Sequence, residues 1–247
     1  LFSFIVVIAL VAIVFVGVKG ANLEFLFGVI IPYAALATFI IGFIYRVVKW
    51  GRSPVPFHIP TTCGQQKTLP WIKDSKIENP STTAGVIARM ALEVLVFRSL
   101  FRNLKTDLRE GPRLAYGSDK WLWLAGLAFH WSFLIIAFRH LRFFMQDVPV
   151  VVQWVEGLDS FLQIGAPLLY ITDVIIITAV TYLFLRRVYI PQVRYISLAA
   201  DYFPLFLILG IVITGILMRM FIRTDIDLIA IKQLSMGLVT FSPTKIG

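Results

Sequence analysis

The sequence predicts an all-α protein whose helices cross a membrane several times. Three observations carry this prediction: 58% of the residues are hydrophobic, the mean hydropathy is +0.83, and apolar segments of membrane-spanning length recur along the chain. A helix of about 20 apolar residues crosses the hydrocarbon core of a bilayer. Several such segments in one chain are typical of a membrane protein and not of a soluble domain. We therefore expect a polytopic helix bundle with five transmembrane helices.

The apolar segments define the five predicted spans. Pro32 lies inside the second span, where neighbouring helices can accommodate a kink. The last part of the chain, residues 222–247, contains Gly, Ser and Pro, and we expect a sixth helix beyond its end. We interpret the chain as one membrane domain with a cytoplasmic loop and an amphipathic helix at residues 46–120. The predicted spans are residues 1–18, 24–45, 121–144, 161–185 and 202–220.

Basic residues concentrate in two of the loops. Residues 46–120 hold thirteen Lys and Arg, and three more arginines follow the fourth span. Both loops lie on one side of the membrane if the spans alternate, and the positive-inside rule makes that side cytoplasmic. The N-terminus is then cytoplasmic and residues 222–247 lie outside the plasma membrane. Because the net charge of +9 resides in these loops, we do not interpret it as a nucleic-acid-binding surface.

The long basic loop divides into two parts. Residues 53–80 are rich in Pro, Thr and Gln and are predicted to be irregular, whereas residues 81–109 are predicted to form one helix. That helix would lie in the anionic inner leaflet or pack beneath a partner subunit. On a 3.6-residue period, Phe97, Phe101, Leu104 and Leu108 form an apolar stripe, and Arg98, Arg102, Lys105 and Arg109 form a cationic one.

The third span carries two of the three histidines, His130 and His140. Ten residues of helix give a rise of ~15 Å and a rotation of ~80°, so the two imidazoles lie at different depths on broadly one side. Polar groups inside a membrane are costly and usually functional. Two stacked haems with axial histidines suit this pattern. A hydrogen bond to a neighbouring helix, a proton path and a quinone site are the alternatives.

Other polar residues have two interpretations each. Arg139 and Arg142 are candidates for pairing with haem propionates, since a guanidinium matches a carboxylate, or for interfacial snorkelling. Asp173, inside the fourth span, is a proton relay or a structural partner of Arg139 or a hydroxyl. His58 lies between two prolines and suits a partner contact. Cys63, the single cysteine, excludes an internal disulfide and a cysteine-ligated iron–sulfur cluster within this chain.

Two stretches of the loop carry a resemblance to a known family. PFHIPTTCGQQ at residues 56–66 and ARMALEVLVFRSLFRN at residues 88–103 resemble the DsrM family, the membrane subunits of sulfite-reduction-associated DsrMKJOP complexes. The third span and the two spans after it also resemble the wider family of nitrate reductase gamma subunits. Those proteins pair two histidines ten residues apart with two more on a later helix. His130 and His140 match the first pair, and the later helix is absent from this chain.

The resemblance implies a function. Members of this family carry haem b and exchange electrons with menaquinone. Their partners are a cytoplasmic, DsrK-like iron–sulfur subunit that handles the sulfur carrier DsrC, a periplasmic multihaem cytochrome and a periplasmic iron–sulfur subunit. We therefore expect an electron-transfer subunit linking menaquinone or menaquinol to a heterodisulfide-reductase-like subunit in dissimilatory sulfur metabolism. The alternative is a cofactor-free membrane anchor; a transporter is disfavoured because the sequence shows no inverted repeat.

A quinone site is expected at the outer end of the third span. The basic loop assigns the cytoplasmic side to the soluble partner, which leaves the haem of His140 for menaquinone. Polar candidates there have to hydrogen-bond a quinone carbonyl and handle its protons, or else they are solvated loop residues. They are Arg142, Gln146 and Asp147 after the third span, with Lys232 and Gln233 folding back from the segment after the fifth.

Overall fold

A computed structural model describes residues 1–54, 65, 67–102, 105–111, 113–160, 169–221 and 228–243. The chain forms two compact units. One comprises Leu1–Tyr45 and Ala128–Gly247, and the other comprises Arg46–Leu127. Most described residues are helical, which confirms the predicted class, and the second unit adds one short β-hairpin that was not predicted. His58 and Cys63 lie outside the described residues.

Four described helices are long and apolar enough to cross a membrane, by length and composition. They confirm the first, second, third and fifth predicted spans as continuous apolar helices. Each is at least 20 residues long, the length that a ~30 Å hydrocarbon layer requires. They are Phe2–Ala21 (α1), Leu26–Arg52 (a π-helical turn Leu26–Ile30 followed by α2, Ile31–Arg52), Lys120–Phe143 (α5, Lys120–His140, followed by a 3-10 turn Leu141–Phe143) and Ala199–Arg219, within α9, Ala199–Phe221.

The fourth predicted span differs from the prediction at its start. Its helix, α7, runs over Ile171–Tyr189 and is not among the four helices that meet the membrane criterion. Tyr170 is extended and its N–H donates to Asp173 Oδ2 at 3.2 Å, so the helix begins with a carboxylate in its first turn. Residues 161–168, where the span was expected to begin, lie outside the described residues.

Helices α1, α7 and α9 pack side by side in the first unit. The side chains of Phe4 and Phe206 meet edge to face at 5.5 Å, and a Cβ placed on Gly210 would lie 3.2 Å from Val7, so a small residue permits this close approach. Asp173 at the start of α7 meets Arg219 at the end of α9. Helices α7 and α9 are therefore antiparallel, and α1 runs parallel to α9.

The irregularity predicted at Pro32 lies in the turn before it. Residues Leu26–Ile30 form a π-helical turn, and regular α-helix resumes at Ile31. Proline has no N–H to donate and its ring crowds the carbonyl four residues earlier. The wider π turn relieves that crowding and leaves the helix continuous over 27 residues.

The last described helix, α10, Leu228–Val239, belongs to the first unit and contacts the 3-10 turn after α5. Tyr33, at the start of α2, donates its hydroxyl to Leu238 O at 2.9 Å and stacks on Phe241 at 5.7 Å. Two distant parts of the chain thus hold α10 against the end of α5 that carries His140.

The prediction of a single helix at residues 81–109 is wrong. Helix α3, Thr83–Val96, ends at Phe97, whose φ of 50° is left-handed, and a short α4, Arg98–Arg102, follows. The Glu93 carboxylate accepts from Ser99 N at 3.0 Å and from its Oγ, which fixes the break. Although burial raises the pKa of Glu93, these hydrogen bonds and the nearby Arg89 and Arg98 lower it overall.

Strands β1, Lys105–Arg109, and β2, Arg113–Gly117, pair antiparallel after this break. Gly111 takes a φ of +75° in the connecting turn, which suits glycine. The predicted apolar and cationic stripes therefore do not share one helix surface, because their last residues belong to a strand. The described part of residues 53–80 forms turns without a regular element beyond the end of α2, as expected for an irregular segment.

Candidate functional site

Helix α5 presents both predicted ligand histidines on exposed surface. His130 lies near the middle of the helix and His140 is its last residue. The His130 ring packs edge-on against Phe129 with a centroid separation of 5.0 Å, and the His140 ring lies 5.9 Å from Phe143. The helix is regular between them, so the expected separation of ~15 Å along the axis holds.

The His140 side chain is held in one tautomer. Its Nδ1 lies 2.7 Å from Ile136 O, and because a carbonyl oxygen only accepts, Nδ1 carries the proton. The lone pair then lies on Nε2, to which no described residue is bonded. Histidines that bind a metal usually donate their other ring N–H to such an acceptor. The side chain therefore fits axial ligation of a haem iron through Nε2.

Three ion pairs and one tyrosine surround the same end of α5. The arginines come from α5, the 3-10 turn and α9, and the acids come from α6, Val150–Asp159, and α7. We call this group the charged cluster. It consists of the pairs Arg139–Asp159, Arg142–Glu156 and Arg219–Asp173, together with Tyr170.

The Arg139–Asp159 pair is the most deeply buried of the three. The two side chains are 9% and 3% exposed. Asp159 also accepts from Thr172 N at 2.9 Å and from Thr172 Oγ1 at 2.7 Å, so its two carboxylate oxygens accept from three donors in all. Arg139, predicted to pair with a haem propionate, has a protein carboxylate as its partner here, as does Arg142 with Glu156. Their role toward haem stays a prediction.

Asp173 has a different partner from the ones expected. Its Oδ2 accepts from Arg219 Nη2 at 2.7 Å, where the sequence analysis named Arg139 or a hydroxyl. Arg219 was missed because it closes the fifth span and resembles an ordinary interfacial arginine. Its Nη1 is buried and has no hydrogen-bond partner among the described residues. That atom is a spare donor next to the His140 end of α5, and it fits an anionic group such as a propionate.

Tyr170 touches every pair of the charged cluster. The Arg139 guanidinium lies 3.6 Å from its ring centroid and the Arg219 guanidinium 4.8 Å away. Its hydroxyl donates to Glu156 at 3.4 Å, and its N–H donates to Asp173. A guanidinium over an aromatic face is attracted by the ring quadrupole. Tyr170 therefore fixes the three ion pairs relative to one another.

Two of the predicted quinone residues meet at this end of α5. Lys232 Nζ on α10 donates to Gln146 O at 2.7 Å, across 86 positions of sequence. Gln233 and Asp147 are both exposed beside them in sequence. The fold-back of the last segment over the His140 end of α5, which the sequence analysis expected, is present in the structure.

Two curated proteins are similar to most of this chain. One, from Archaeoglobus fulgidus, is 42% identical over 220 residues, covering 88% of this chain and 65% of its own length. The other, from Archaeoglobus profundus, is 39% identical over 217 residues, covering 86% and 63% respectively. Both are named "Hdr-like menaquinol oxidoreductase cytochrome b-like subunit". The chain thus spans slightly less than two thirds of each. No protein-family profile and no solved structure matches the chain.

Proposed function

We propose that this chain is a cytochrome b-like membrane subunit of an Hdr-like menaquinol oxidoreductase complex. It transfers electrons between menaquinone or menaquinol and a cytoplasmic, heterodisulfide-reductase-like iron–sulfur subunit. The observation that carries the proposal is the His140 imidazole, whose Nδ1–H is held by Ile136 O while Nε2 faces outward from a membrane-length helix. The names of the two Archaeoglobus relatives support it independently.

His130 and His140 would each hold one haem b in this proposal. Bound haem supplies one-electron chemistry at iron, and the chain's own residues hold and orient it. The Ile136 carbonyl fixes the His140 ring, and Arg139, Arg142 and Arg219 place positive charge near its propionates.

A spectrum separates this proposal from the cofactor-free anchor. We expect reduction of the purified complex to produce the sharp visible bands of a b-type cytochrome. An anchor without haem has no reduced-minus-oxidised difference in that region. A featureless difference spectrum from fully assembled complex would favour the anchor.

Menaquinone binds at the His140 end of α5 in this proposal. The residues proposed to contact it are Arg142, Gln146, Asp147, Lys232 and Gln233. The support is the Lys232–Gln146 hydrogen bond, which draws α10 over the 3-10 turn that carries Arg142. A cationic amine and a guanidinium there can donate hydrogen bonds to quinone carbonyls.

A double variant tests this site. In Arg142→Ala, Lys232→Ala we expect haem reduction by a menaquinol analogue to slow at least about 10-fold, since each lost charge-assisted hydrogen bond is worth about 1.5–3 kcal/mol. Haem content and reduction by dithionite should stay at wild-type values. Lys19→Ala, a lysine at the end of α1, serves as the matched control. An unchanged rate would move the quinone site elsewhere.

Partners of the complex occupy both sides of the membrane in this proposal. Residues 53–80, which the sequence predicts to be irregular, dock the DsrK-like iron–sulfur subunit on the cytoplasmic side. Long segments without regular structure are commonly binding segments, which supports this role. A periplasmic multihaem cytochrome and an iron–sulfur subunit lie on the outer side, and membrane lipid surrounds the apolar helices. Dissimilatory sulfur metabolism, through a sulfur carrier, is the proposed setting.

Cys63 reports the orientation of the chain. Because the predicted loop that contains Cys63 is strongly basic, we expect Cys63 to lie on the cytoplasmic side of the plasma membrane. An impermeant maleimide should therefore label Cys63 in sealed, right-side-out cells only after permeabilisation. A Cys63→Ser chain carrying a new cysteine at Asp147 should label before permeabilisation. Strong labelling of Cys63 in intact cells would reverse the orientation.

A further inference from the structure

The three ion pairs of the charged cluster differ in exposure. The Arg142 and Glu156 side chains are 42% and 26% exposed. The other two carboxylates, Asp159 and Asp173, are only 3% and 5% exposed. Glu156 is thus the carboxylate of the cluster that a bound molecule or water can reach.

One oxygen of Glu156 is fixed and the other is open. Arg142 Nη1 and the Tyr170 hydroxyl both donate to Oε1. Among the described residues, no donor reaches Oε2. Tyr170 itself lies against two guanidinium groups, which help to hold its hydroxyl beside the carboxylate. The carboxylate is oriented by its first oxygen and can accept a proton through its second.

Glu156 also lies next to the proposed menaquinone site. Its partner Arg142 belongs to the 3-10 turn that begins directly after His140. The same turn contacts α10, whose Lys232 is hydrogen-bonded to Gln146. The 3-10 turn therefore connects the open carboxylate to the histidine on one side and to the quinone candidates on the other.

We propose that Glu156 is the residue that accepts protons from quinol bound at the His140 end of α5, and that Tyr170 positions it. This inference rests on the proposed function and names the proton-handling group of the same site. A carboxylate within hydrogen-bond reach of a substrate hydroxyl is a standard general base. Arg142 holds Glu156 through Oε1, which leaves Oε2 to accept the proton.

Oxidation of a quinol to a quinone breaks two O–H bonds and releases two electrons and two protons. The electrons would leave one at a time to the one-electron acceptor that the proposed function names, a ferric haem. One proton forms an O–H bond at Glu156 Oε2 and leaves to water along the exposed edge of the pair; the second follows once the carboxylate is ionised again. In quinone reduction the same group donates.

Other charged groups lie near Glu156. The pH dependence of the reduction rate has to be distinguished from the effects of these groups. Arg142 and the Tyr170 hydroxyl contact Glu156 directly, while Asp159 lies on its own helix. Asp159 and Asp173 are enclosed by ion pairs. Other charged or titratable side chains near this end of α5 are His140, Arg139, Asp147, Arg219 and Lys232.

Glu156→Gln in the assembled complex tests the inference. The amide keeps the size of the side chain and an acceptor for Arg142 and Tyr170, but it cannot take up a proton. We expect the maximal rate of haem reduction by a menaquinol analogue to fall about 100-fold, as for loss of a general base. The quinol concentration for half-maximal rate, the haem content and reduction by dithionite should be unchanged. Glu24→Gln, between α1 and the π turn, is the matched control.

Two further readouts separate proton transfer from a structural role. The pH profile of the rate should differ between the wild type and Glu156→Gln, because only the wild type has a carboxylate at this position. The infrared difference spectrum on reduction by quinol should contain a protonated carboxyl band that Glu156→Gln removes. If Glu156→Gln does not assemble, Glu156→Asp should be slow while keeping the pH profile of the wild type, because a carboxylate remains but is displaced.

The outcomes are distinguishable. Wild-type complex that has no haem, or whose haem takes no electrons from quinol, overturns the proposed function and this inference with it. Wild-type complex that is reduced by quinol, with Glu156→Gln or Glu156→Asp reduced at the same rate and with the same pH profile, overturns the inference alone. Equal loss of haem in both Glu156 variants would show that Glu156 is structural and would also overturn it.

Discussion

His140→Ala is expected to remove one of two haems from the chain, and His130→Ala the other. Alanine has no group that can ligate iron, and the exposed faces of α5 offer no substitute at either position. The loss should be complete at the mutated site, because an axial ligand bond is removed outright. Both variants should still insert, since both side chains are exposed and neither helps to close the core. Haem per chain, measured as pyridine haemochrome, gives the result.

The third histidine provides the control. His58→Ala should keep full haem content, because the sequence predicts His58 to lie in the polar loop rather than in a membrane-length helix. The two single variants should also lose spectroscopically different haems, since the histidines occupy different depths. Full haem content in both His130→Ala and His140→Ala would refute the ligand assignment.

Asp159→Ala is expected to destabilise the protein by about 3 to 5 kcal/mol. The change leaves the Arg139 guanidinium buried without its carboxylate, and it removes both acceptors of Thr172. Breaking a buried pair by removing one partner typically has an effect of this size, because an uncompensated charge remains. The free energy of unfolding in detergent or bilayer, from a denaturant titration, measures it.

An exposed carboxylate on the same short stretch of chain is the matched control. Asp147→Ala should change the free energy of unfolding by less than about 0.5 kcal/mol, as exposed substitutions usually do. An Arg139→Met, Asp159→Leu variant should recover part of the loss, because it removes both charges together. A cost below about 1 kcal/mol for Asp159→Ala would contradict the structural role of this pair.

The long apolar helices could be predicted because their signal is local. A run of about 20 apolar residues is visible in the sequence without knowledge of what packs against it. The histidines of α5 stand out for the same reason, since each is a polar residue in an apolar run. The start of α7 could not be placed as well, because it depends on a single hydrogen bond from Tyr170 to Asp173.

The partners within the charged cluster could not be predicted from local patterns. Arg139 meets Asp159 across 20 positions, and Arg219 meets Asp173 across 46. The sequence shows that such charges need partners, but only the packing of the helices that carry them, α5, α6, α7 and α9, decides which. The assignment of Asp173 therefore failed at its partner and at its position, because the residue lies in the first turn of α7 rather than well inside the span.

The break after α3 was predictable in part. A 3.6-residue period through residues 97–109 assumed a continuous helix, whereas Phe97 is left-handed and Glu93 binds the backbone beyond it. The Gly-Pro pair at residues 111–112 is a common turn signal, and alternating residues on both sides of it are typical of a hairpin. Weighing that signal above the period would have located the strands.

The position of α10 has a consequence for the order in which the protein is made. Tyr33 and its partner Leu238 are 205 positions apart, and Gln146 and Lys232 are 86 apart. Chains emerge from the ribosome N-terminal end first, so α1, α2 and α5 are synthesised well before α10. The His140 end of α5 therefore stays free of α10 while the 86 positions from Gln146 to Lys232 are synthesised, and α10 can dock there only after Lys232 has emerged.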